Sequence, residues 1–166
     1  RLLAAIAYFE SHFRPNAVAW TGAKGLMGIM PSTARALGFR YEEMGDPEKN
    51  IRAGIECLRR FRGSFPAASE EERVKLTLAS YNAGVGHIND AQRLAKKYGH
   101  NPNVWTDNVA EYIRLKAEPK YYTDSVCRFG YLRGRETYRY VDAVLGRYHH
   151  YRELTEKQTA EKTEKE

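Results

Sequence analysis

Apolar residues near the start of the chain recur at helical spacing. They stand at Leu2, Leu3, Ile6, Phe9 and Phe13. This spacing places them on one face of an α-helix. The helix should end before Pro15, because a proline disfavours the helical conformation of the residue that precedes it. The pattern therefore predicts a first helix over residues 2–13, followed by a glycine-bearing loop over residues 16–28.

Similar patterns and boundary signals predict a string of further helices. The predicted ranges are 31–37, 46–63, 69–82, 87–98, 107–116 and 134–151. The second of these should carry Ile51, Ile55, Leu58 and Phe61 along one apolar face. Gly84 and Gly86 are expected to break the chain between the ranges 69–82 and 87–98. Because the alternation typical of strands is scarce, we predict an all-α fold.

The 166 residues suit one domain with a short tail. We expect the domain to span residues 1–152 and the charged tail, residues 153–166, to be disordered because it lacks an apolar stripe. The tail holds five Glu and three Lys, so of the net charge of +6 the remainder of the chain carries +8. This charge favours an anionic partner, such as nucleic acid, acidic lipid or an acidic glycan. A well-solvated basic surface explains it equally well.

The two cysteines, Cys57 and Cys127, form no CxxC pair and do not cluster with histidines, so we expect no zinc site. They are either partners in a disulfide or two separate thiols. No apolar run reaches the roughly 18 residues of a membrane-spanning helix. The sequence contains no recognisable signal peptide, and it opens within a helical pattern, so we expect it to be a piece of a longer protein.

Glu10 is a carboxylate inside the apolar face of the first predicted helix. Removal of a carboxylate from water raises its pKa, and a carboxyl group that is protonated near neutral pH is suited to general acid catalysis. A buried Glu paired with one of the many arginines gives the same pattern. Periodicity alone leaves both interpretations open.

Two later segments combine aromatic and polar residues. Ala79-Ser80-Tyr81-Asn82-Ala83-Gly84 closes a predicted helix, where Asn82 either caps the helix or binds a sugar hydroxyl. Glu136-Thr137-Tyr138-Arg139-Tyr140-Val141 lies early in the last helix, where tyrosines commonly serve packing. Neither segment determines a function by itself.

Together and in this order, four segments resemble the motifs of the family 1 lytic transglycosylases. They are Glu10-Ser11, the loop Gly25-Leu26-Met27-Gly28-Ile29-Met30-Pro31, and the two segments with aromatic and polar residues. Asp90-Ala91-Gln92 and the stretch from residue 121 to 140 also resemble the membrane-bound transglycosylase F branch of that family. The resemblance covers residues 1 to about 150.

The resemblance implies a lysozyme-like α-helical domain that cleaves the β-1,4 bond between N-acetylmuramic acid and N-acetylglucosamine of peptidoglycan without water. Glu10 would be the sole catalytic carboxylate, and no metal or cofactor would be needed. The cleft around it would be lined by Ser11, Met27, Tyr81, Asn82 and Tyr140. Gly28 departs from the family pattern, which usually has glutamine there, so one polar substrate contact is missing.

The resemblance also implies a place in the cell envelope, in the periplasm or at the outer membrane, and an upstream ligand-sensing domain in the full-length protein. Two other functions fit the same motifs: a hydrolase like the goose-type lysozymes, and a glycan-binding module without activity. Nucleic-acid binding is disfavoured, because only the basic charge and the tyrosines support it and no recognised binding motif is present. The oligomeric state is left open by the sequence.

Overall fold

The computed structural model describes residues 1–163, and helices dominate this range. They are α1 (Leu2–Ser11), α2 (Pro31–Ala36), α3 (Pro47–Gly63), α4 (Glu70–Ala83), α5 (Val85–Lys97), α6 (Ala110–Leu115), α7 (Pro119–Tyr122) and α8 (Gly134–Thr163). A short 3₁₀-helix, Tyr41–Gly45, precedes α3, and a wide helical turn, Trp105–Val109, precedes α6. Over the described residues the only β-type pairing is two isolated bridges in the loop after α1. The all-α prediction is confirmed.

The chain divides into two compact units. The first consists of residues 1–57 together with the part of α8 that begins at residue 143, and the second consists of residues 58–142. Both boundaries fall inside a helix, α3 in one case and α8 in the other. In the part of the chain that the structure describes, none of these helices combines the length and the apolarity that a membrane crossing requires.

Helix α1 ends at Ser11, earlier than the sequence predicts. His12 and Phe13 both adopt left-handed backbone conformations, with φ of 51° and 59°, and the His12 N–H caps the helix by donating to the Tyr8 carbonyl. The early end changes the buried face. Phe13 and Phe9 are exposed, and the buried residues of the helix are Ala5, Ile6, Ala7 and Ser11.

Helix α3 has the predicted bounds but buries a different face. Asp46 caps it as expected, because its carboxylate accepts a hydrogen bond from the Lys49 N–H at 2.9 Å. The apolar face that the sequence indicates is not the buried one, since Ile51 and Ile55 are exposed. The buried residues are Asn50, Ala53, Gly54 and Cys57. Small side chains on this face let the loop after α1 approach the helix closely, which apolar periodicity does not reveal.

A single glycine separates α4 from α5. The Ser69 hydroxyl accepts the Glu72 N–H at 3.3 Å and so begins α4 as predicted. Gly84, with φ of 87°, ends it, and its N–H donates to the Ser80 carbonyl. Gly86 does not break the chain, because it lies inside α5. A Cβ at this position would lie 2.6 Å from the Phe129 ring, so Gly86 leaves room for that ring to pack.

The C-terminal helix α8 continues to Thr163, well past the predicted end at Tyr151. Nine of the residues 152–163 are Glu, Lys, Arg, Leu, Gln or Ala, which extend an existing helix at low cost even without an apolar face. Arg152 and Glu156 lie one helical turn apart and form an ion pair, with 3.6 Å between Nε and Oε1. This pair also stabilises the helix. Residues 164–166 of the predicted tail lie outside the described residues.

The second unit contains a fully buried ion pair between Asp90 of α5 and Lys116, just after α6. The two charged groups are 2.6 Å apart. The Asp90 carboxylate also accepts hydrogen bonds from the backbone N–H groups of Arg128 and Phe129, at 2.8 and 2.9 Å. Burial alone would raise the pKa of Asp90, but the hydrogen bonds from Lys116 and from these N–H groups outweigh it and hold the pKa below its ordinary value.

The two cysteines are thiols in this structure. Cys57 is buried on α3, and Cys127 lies half-buried in the segment that follows α7. The Cys127 thiol donates to the Tyr121 carbonyl at 3.3 Å. Burial, followed by the nearby Asp90 charge, raises the pKa of the Cys127 thiol and so disfavours its reactive thiolate form.

Candidate active site

Glu10 lies in the last turn of α1 on the same side as buried residues. Ile6 precedes it by four positions and is fully buried, and its neighbour Ser11 is 2% exposed. Glu10 itself is half-buried. Residues four apart on a helix share a face, so the carboxylate is presented at the edge of the core of the first unit. Glu10 therefore shares a side of the helix with the buried Ile6, as the sequence predicts, whereas Phe9 and Phe13, which the sequence pattern places on the same face, are exposed.

The backbone of Gly28 packs directly against the Glu10 carboxylate. Gly28 adopts a left-handed conformation with φ of +62°. A Cβ built on it would lie 2.6 Å from Oε2 of Glu10 and 3.2 Å from the Glu10 Cβ. Both its backbone conformation and this contact favour glycine, because L side chains rarely adopt such a φ and the space is already filled. The Glu10 carboxylate thus fills the space in which a side chain at position 28 would begin.

Ser11 ties α1 to the loop that carries Gly28. Its hydroxyl lies 2.9 Å from the Leu26 carbonyl oxygen and 3.0 Å from that of Ala7 in the preceding turn. The side chain is 2% exposed. Ser11 therefore fixes the position of the loop relative to the helix that bears Glu10.

Asn50, on the buried face of α3, holds the same loop from the other side. Its Oδ1 accepts the Met27 N–H at 2.8 Å, and its Nδ2 donates to the carbonyl oxygens of Lys24 and Met44 at 2.8 and 3.0 Å. The side chain is fully buried, so these hydrogen bonds are protected from water. Gly25 makes this close approach possible, because a Cβ there would collide with the Asn50 amide.

Met27 is 1% exposed and packs against Gly54 of α3. A Cβ at Gly54 would lie 2.8 Å from the Met27 Cε, so the absence of a side chain on the helix creates the space that the methionine fills. Met27 thus anchors the loop in the core of the first unit. Its predicted contact with substrate stays a prediction.

The second unit contains the Tyr81-Asn82 segment and the start of α8. Asn82 is exposed, and its Oδ1 accepts a hydrogen bond from the Thr137 hydroxyl at 2.8 Å. Thr137 is 2% exposed, so a buried group orients the exposed amide. Gly84 ends the helix, and Asn82 lies inside it, so the alternative role of Asn82 as the helix cap is wrong. Tyr81 and Tyr140 are each half-buried.

The structure therefore groups the predicted residues in two sets. Glu10, Ser11, Met27 and Gly28 come together in the first unit. Asn82 is joined to Thr137 in the second unit, which also contains Tyr81 and Tyr140. Nothing in the sequence singles out Asn50 or Thr137. Each is a polar residue within a predicted helix, and the sequence does not show that it is buried. A search of the described residues finds no group of three or more His, Cys, Asp or Glu side chains that could hold a metal ion.

The model of the transglycosylase SLT domain family matches residues 1–104. The chain belongs to this family. The matched range contains Glu10, the Gly25–Gly28 turn, Asn50 and the Tyr81-Asn82 segment of this SLT domain, whereas Thr137 and Tyr140 lie beyond it. SLT domains have a lysozyme-like all-α fold, which agrees with the helices described above.

Similar proteins carry the name membrane-bound lytic murein transglycosylase F. The protein from Vibrio campbellii is 42% identical over 145 residues, which cover 87% of this chain and 26% of that protein. The one from Pasteurella multocida is 43% identical over 144 residues, covering 86% and 28% respectively. A Haemophilus influenzae relative is 42% identical over 145 residues, covering 87% and 29%. This SLT domain thus spans about a quarter of the length of these relatives.

Proposed function

We propose that this SLT domain cleaves the β-1,4 bond between N-acetylmuramic acid and N-acetylglucosamine of peptidoglycan by lytic transglycosylation, with residues 1–152 as the catalytic domain and Glu10 as its acid and base. The observation that carries the proposal is a half-buried carboxylate held in a loop and helix framework within an SLT domain. The relatives' names, lytic murein transglycosylase, support the same reaction.

The reaction needs one carboxyl group that changes its role between two steps. Protonated Glu10 donates its proton to the glycosidic oxygen, and the C1–O bond breaks with its electron pair leaving on the departing N-acetylglucosamine oxygen. The N-acetyl oxygen of the muramoyl residue stabilises the positive charge that develops at C1. The Glu10 carboxylate then accepts the proton of the muramoyl 6-hydroxyl while that oxygen bonds to C1. The product is a 1,6-anhydro ring, and no water is consumed.

A hydrolysing glycosidase usually employs two carboxyl groups on either side of the bond. In this chain the next acidic residue after Glu10 is Glu42, so the loop that packs on Glu10 brings no second carboxylate. A mechanism in which the substrate supplies its own nucleophile fits this arrangement. We propose that the sugars are contacted by Tyr81, Asn82 and Tyr140. We also propose that Ser11 and Met27 line the cleft around Glu10 and position the loop that packs on it.

We also propose that the domain works in the cell envelope, in the periplasm or at the outer membrane. The support is the substrate, which is found there, and the relatives' printed description as membrane-bound. Peptidoglycan strands are then its partner, and the excess of basic residues suits the carboxylates of the stem peptides.

The test compares Glu10→Gln with Glu42→Gln, an exposed glutamate in the same unit, in a turbidity assay on purified sacculi. We expect Glu10→Gln to stay folded and to lose about 10²–10⁴-fold activity, because a general acid contributes that much. Glu42→Gln should match the unmodified domain. If Glu10→Gln kept more than a tenth of the activity, another group would be the acid. If the unmodified domain bound sacculi without clearing them, it would be a glycan-binding module.

A further inference from the structure

Trp20 is 97% exposed, far more than any other large hydrophobic side chain in the described part of the chain. The next most exposed, Val18, is exposed by 61% and lies two residues away. Trp105, the other tryptophan, is 3% exposed. An indole is the largest apolar side chain, and its complete exposure forgoes the free energy that burial would provide.

The segment that carries Trp20 is well ordered by hydrogen bonds. Ala19 donates to the Ala23 carbonyl at 2.8 Å, and Gly22 donates to the Ala19 carbonyl at 2.9 Å, which closes a tight turn around Trp20 and Thr21. The Tyr41 hydroxyl donates to the Gly22 carbonyl at 2.6 Å. The turn therefore holds the indole in the solvent on a fixed backbone, so little backbone freedom remains to be lost on binding.

The same turn is continuous with the loop that packs on Glu10. Gly25 donates to the Ala17 carbonyl at 2.8 Å, and Lys24 and Ile29 exchange backbone hydrogen bonds at 3.0 and 2.9 Å. These bonds join the Trp20 turn to the segment in which Gly28 contacts the Glu10 carboxylate. A polymer bound at Glu10 and running along this loop would meet the indole.

The charge of this region also suits an acidic polymer. Residues 11–41 contain no Asp or Glu and four basic residues, Arg14, Lys24, Arg35 and Arg40. The stem peptides of peptidoglycan carry carboxylates, so the strand that presents its sugars to Trp20 would bring negative charge to a positive region.

We propose that Trp20 is a sugar-stacking platform for the glycan strand, binding the apolar face of a pyranose ring other than the two that flank the cleaved bond. The proposal rests on the function proposed above. A glycan is favoured over a lipid surface because one flat ring suffices for stacking, whereas interfacial lipid binding needs a broad apolar face. Among residues 17–23, Val18 is the one other exposed large hydrophobic residue, so this turn provides two apolar side chains rather than such a broad face.

The first experiment compares kcat/KM on long glycan strands with kcat/KM on a MurNAc-GlcNAc disaccharide, which contains only the two rings that flank the cleaved bond. The ratio of interest is kcat/KM on long strands divided by kcat/KM on the short substrate. For Trp20→Ala we expect this ratio to fall about five- to tenfold, the range that loss of one aromatic contact produces. Trp20→Phe should recover part of the ratio. Leu154→Ala, which removes another exposed apolar side chain from the same unit, should leave the ratio unchanged. An unchanged ratio in Trp20→Ala would overturn the proposal.

The second experiment needs no catalysis. In the Glu10→Gln background, acrylamide quenches the exposed indole of Trp20 rather than the buried indole of Trp105. Long glycan strands should reduce this quenching, and the reduction should disappear in Glu10→Gln with Trp20→Phe. Protection by vesicles of anionic phospholipid, without protection by glycan, would assign Trp20 to a membrane surface and overturn the proposal. Absence of cleavage by the unmodified domain would instead contradict the proposed function.

Discussion

The Oε2 atom of Glu10 occupies the space in which a side chain of Gly28 would begin, 2.6 Å from the ideal Cβ position. The carboxylate and the loop backbone are thus in direct contact, with no side chain between them. Ser11 and Asn50 hold the loop in this position through hydrogen bonds to Leu26, Lys24 and Met27. The position of the Glu10 carboxylate therefore depends on a glycine and on two buried polar residues.

Gly28→Ala tests this contact, with Gly38→Ala as the matched control. Both glycines have positive φ, of 62° and 83°, but a Cβ at Gly38 has nothing within 4 Å. Each variant should lose about 1–2 kcal/mol of stability from the left-handed backbone. Only Gly28→Ala should also displace the Glu10 carboxylate and lower kcat at least tenfold per folded molecule. Denaturant unfolding and the sacculus assay measure the two effects. Equal activity per folded molecule in both variants would show that the contact does not matter.

Asn50→Ala should loosen the loop that packs on Glu10. It removes the buried hydrogen-bond partner of the Met27 N–H and of the Met44 carbonyl, and each such loss costs about 1–3 kcal/mol, whereas the Lys24 carbonyl keeps the Ile29 N–H. We expect a marked fall in the free energy of unfolding and faster amide exchange at Met27. Asn50→Asp should also be destabilised, because a carboxylate accepts the Met27 N–H but cannot donate to two carbonyls. Unchanged exchange at Met27 in Asn50→Ala would contradict this role.

Thr137→Val should weaken turnover through Asn82. The substitution keeps the shape of the side chain and removes the hydroxyl that donates to the Asn82 Oδ1. We expect kcat/KM to fall several-fold, with recovery in Thr137→Ser. Asn82→Ala should lower activity more than it lowers the melting temperature, because Gly84 and not Asn82 ends α4. If Asn82→Ala lost stability and kept its activity per folded molecule, its role would be structural.

His87 should make the stability of the second unit sensitive to mild acid. Lys116 donates to its Nδ1 at 2.8 Å. Burial of the ring, followed by the Lys116 charge, lowers the pKa of His87 below its ordinary value, while Asp90 opposes the shift. The unfolded chain then binds the proton more readily than the folded one. The resulting stability is present above the unfolded pKa of about 6.5 and is lost as the pH falls through the folded pKa.

We therefore expect the free energy of unfolding to decline as the pH is lowered from about 6.5, and His87→Gln to decline less steeply over the same interval. Urea unfolding at a series of pH values measures both slopes. Below about pH 4 the buried Asp90, whose pKa is lowered, should add a further loss as it becomes protonated, and this loss should persist in His87→Gln. Identical slopes in the two proteins between about pH 5 and 7 would exclude His87 as the cause.

Several parts of the fold follow from local signals. Pro31 and Asp46-Pro47 mark the starts of α2 and α3, and Ser69 and Gly84 mark the start and end of α4. Burial was harder to predict. Ile51 and Ile55 are exposed because the loop packs on the small residues of α3, and the left-handed turn at His12 leaves Phe13 outside the core. These outcomes depend on contacts between distant segments, which periodicity along one helix does not contain.

The candidate site also combines residues that the sequence identifies with contacts that the sequence does not reveal. Glu10 and the Tyr81-Asn82 segment are identified by ordered motifs, whereas Gly28 stands out in the sequence as one of the loop glycines and as a departure from the family pattern. The contact that Gly28 makes with Glu10, and the support from Asn50 and Thr137, become visible only when distant segments are placed side by side. A buried amide or hydroxyl on a helix has no sequence signature that separates it from an exposed one.

The central claim is tested most directly by the source of the oxygen atom that bonds to the muramoyl C1 after the glycosidic bond breaks. This oxygen comes from the muramoyl 6-hydroxyl in transglycosylation and from water in hydrolysis. Sacculi are digested by the domain in water enriched in ¹⁸O, and the released muropeptides are analysed by mass spectrometry. Transglycosylation predicts 1,6-anhydromuramoyl ends that are lighter by one water than hydrolysis products and contain no ¹⁸O, since the muramoyl 6-hydroxyl provides the oxygen. Free reducing ends that carry ¹⁸O as the main product would make the domain a hydrolase and contradict the role of Glu10 as the acid and base of a transglycosylase.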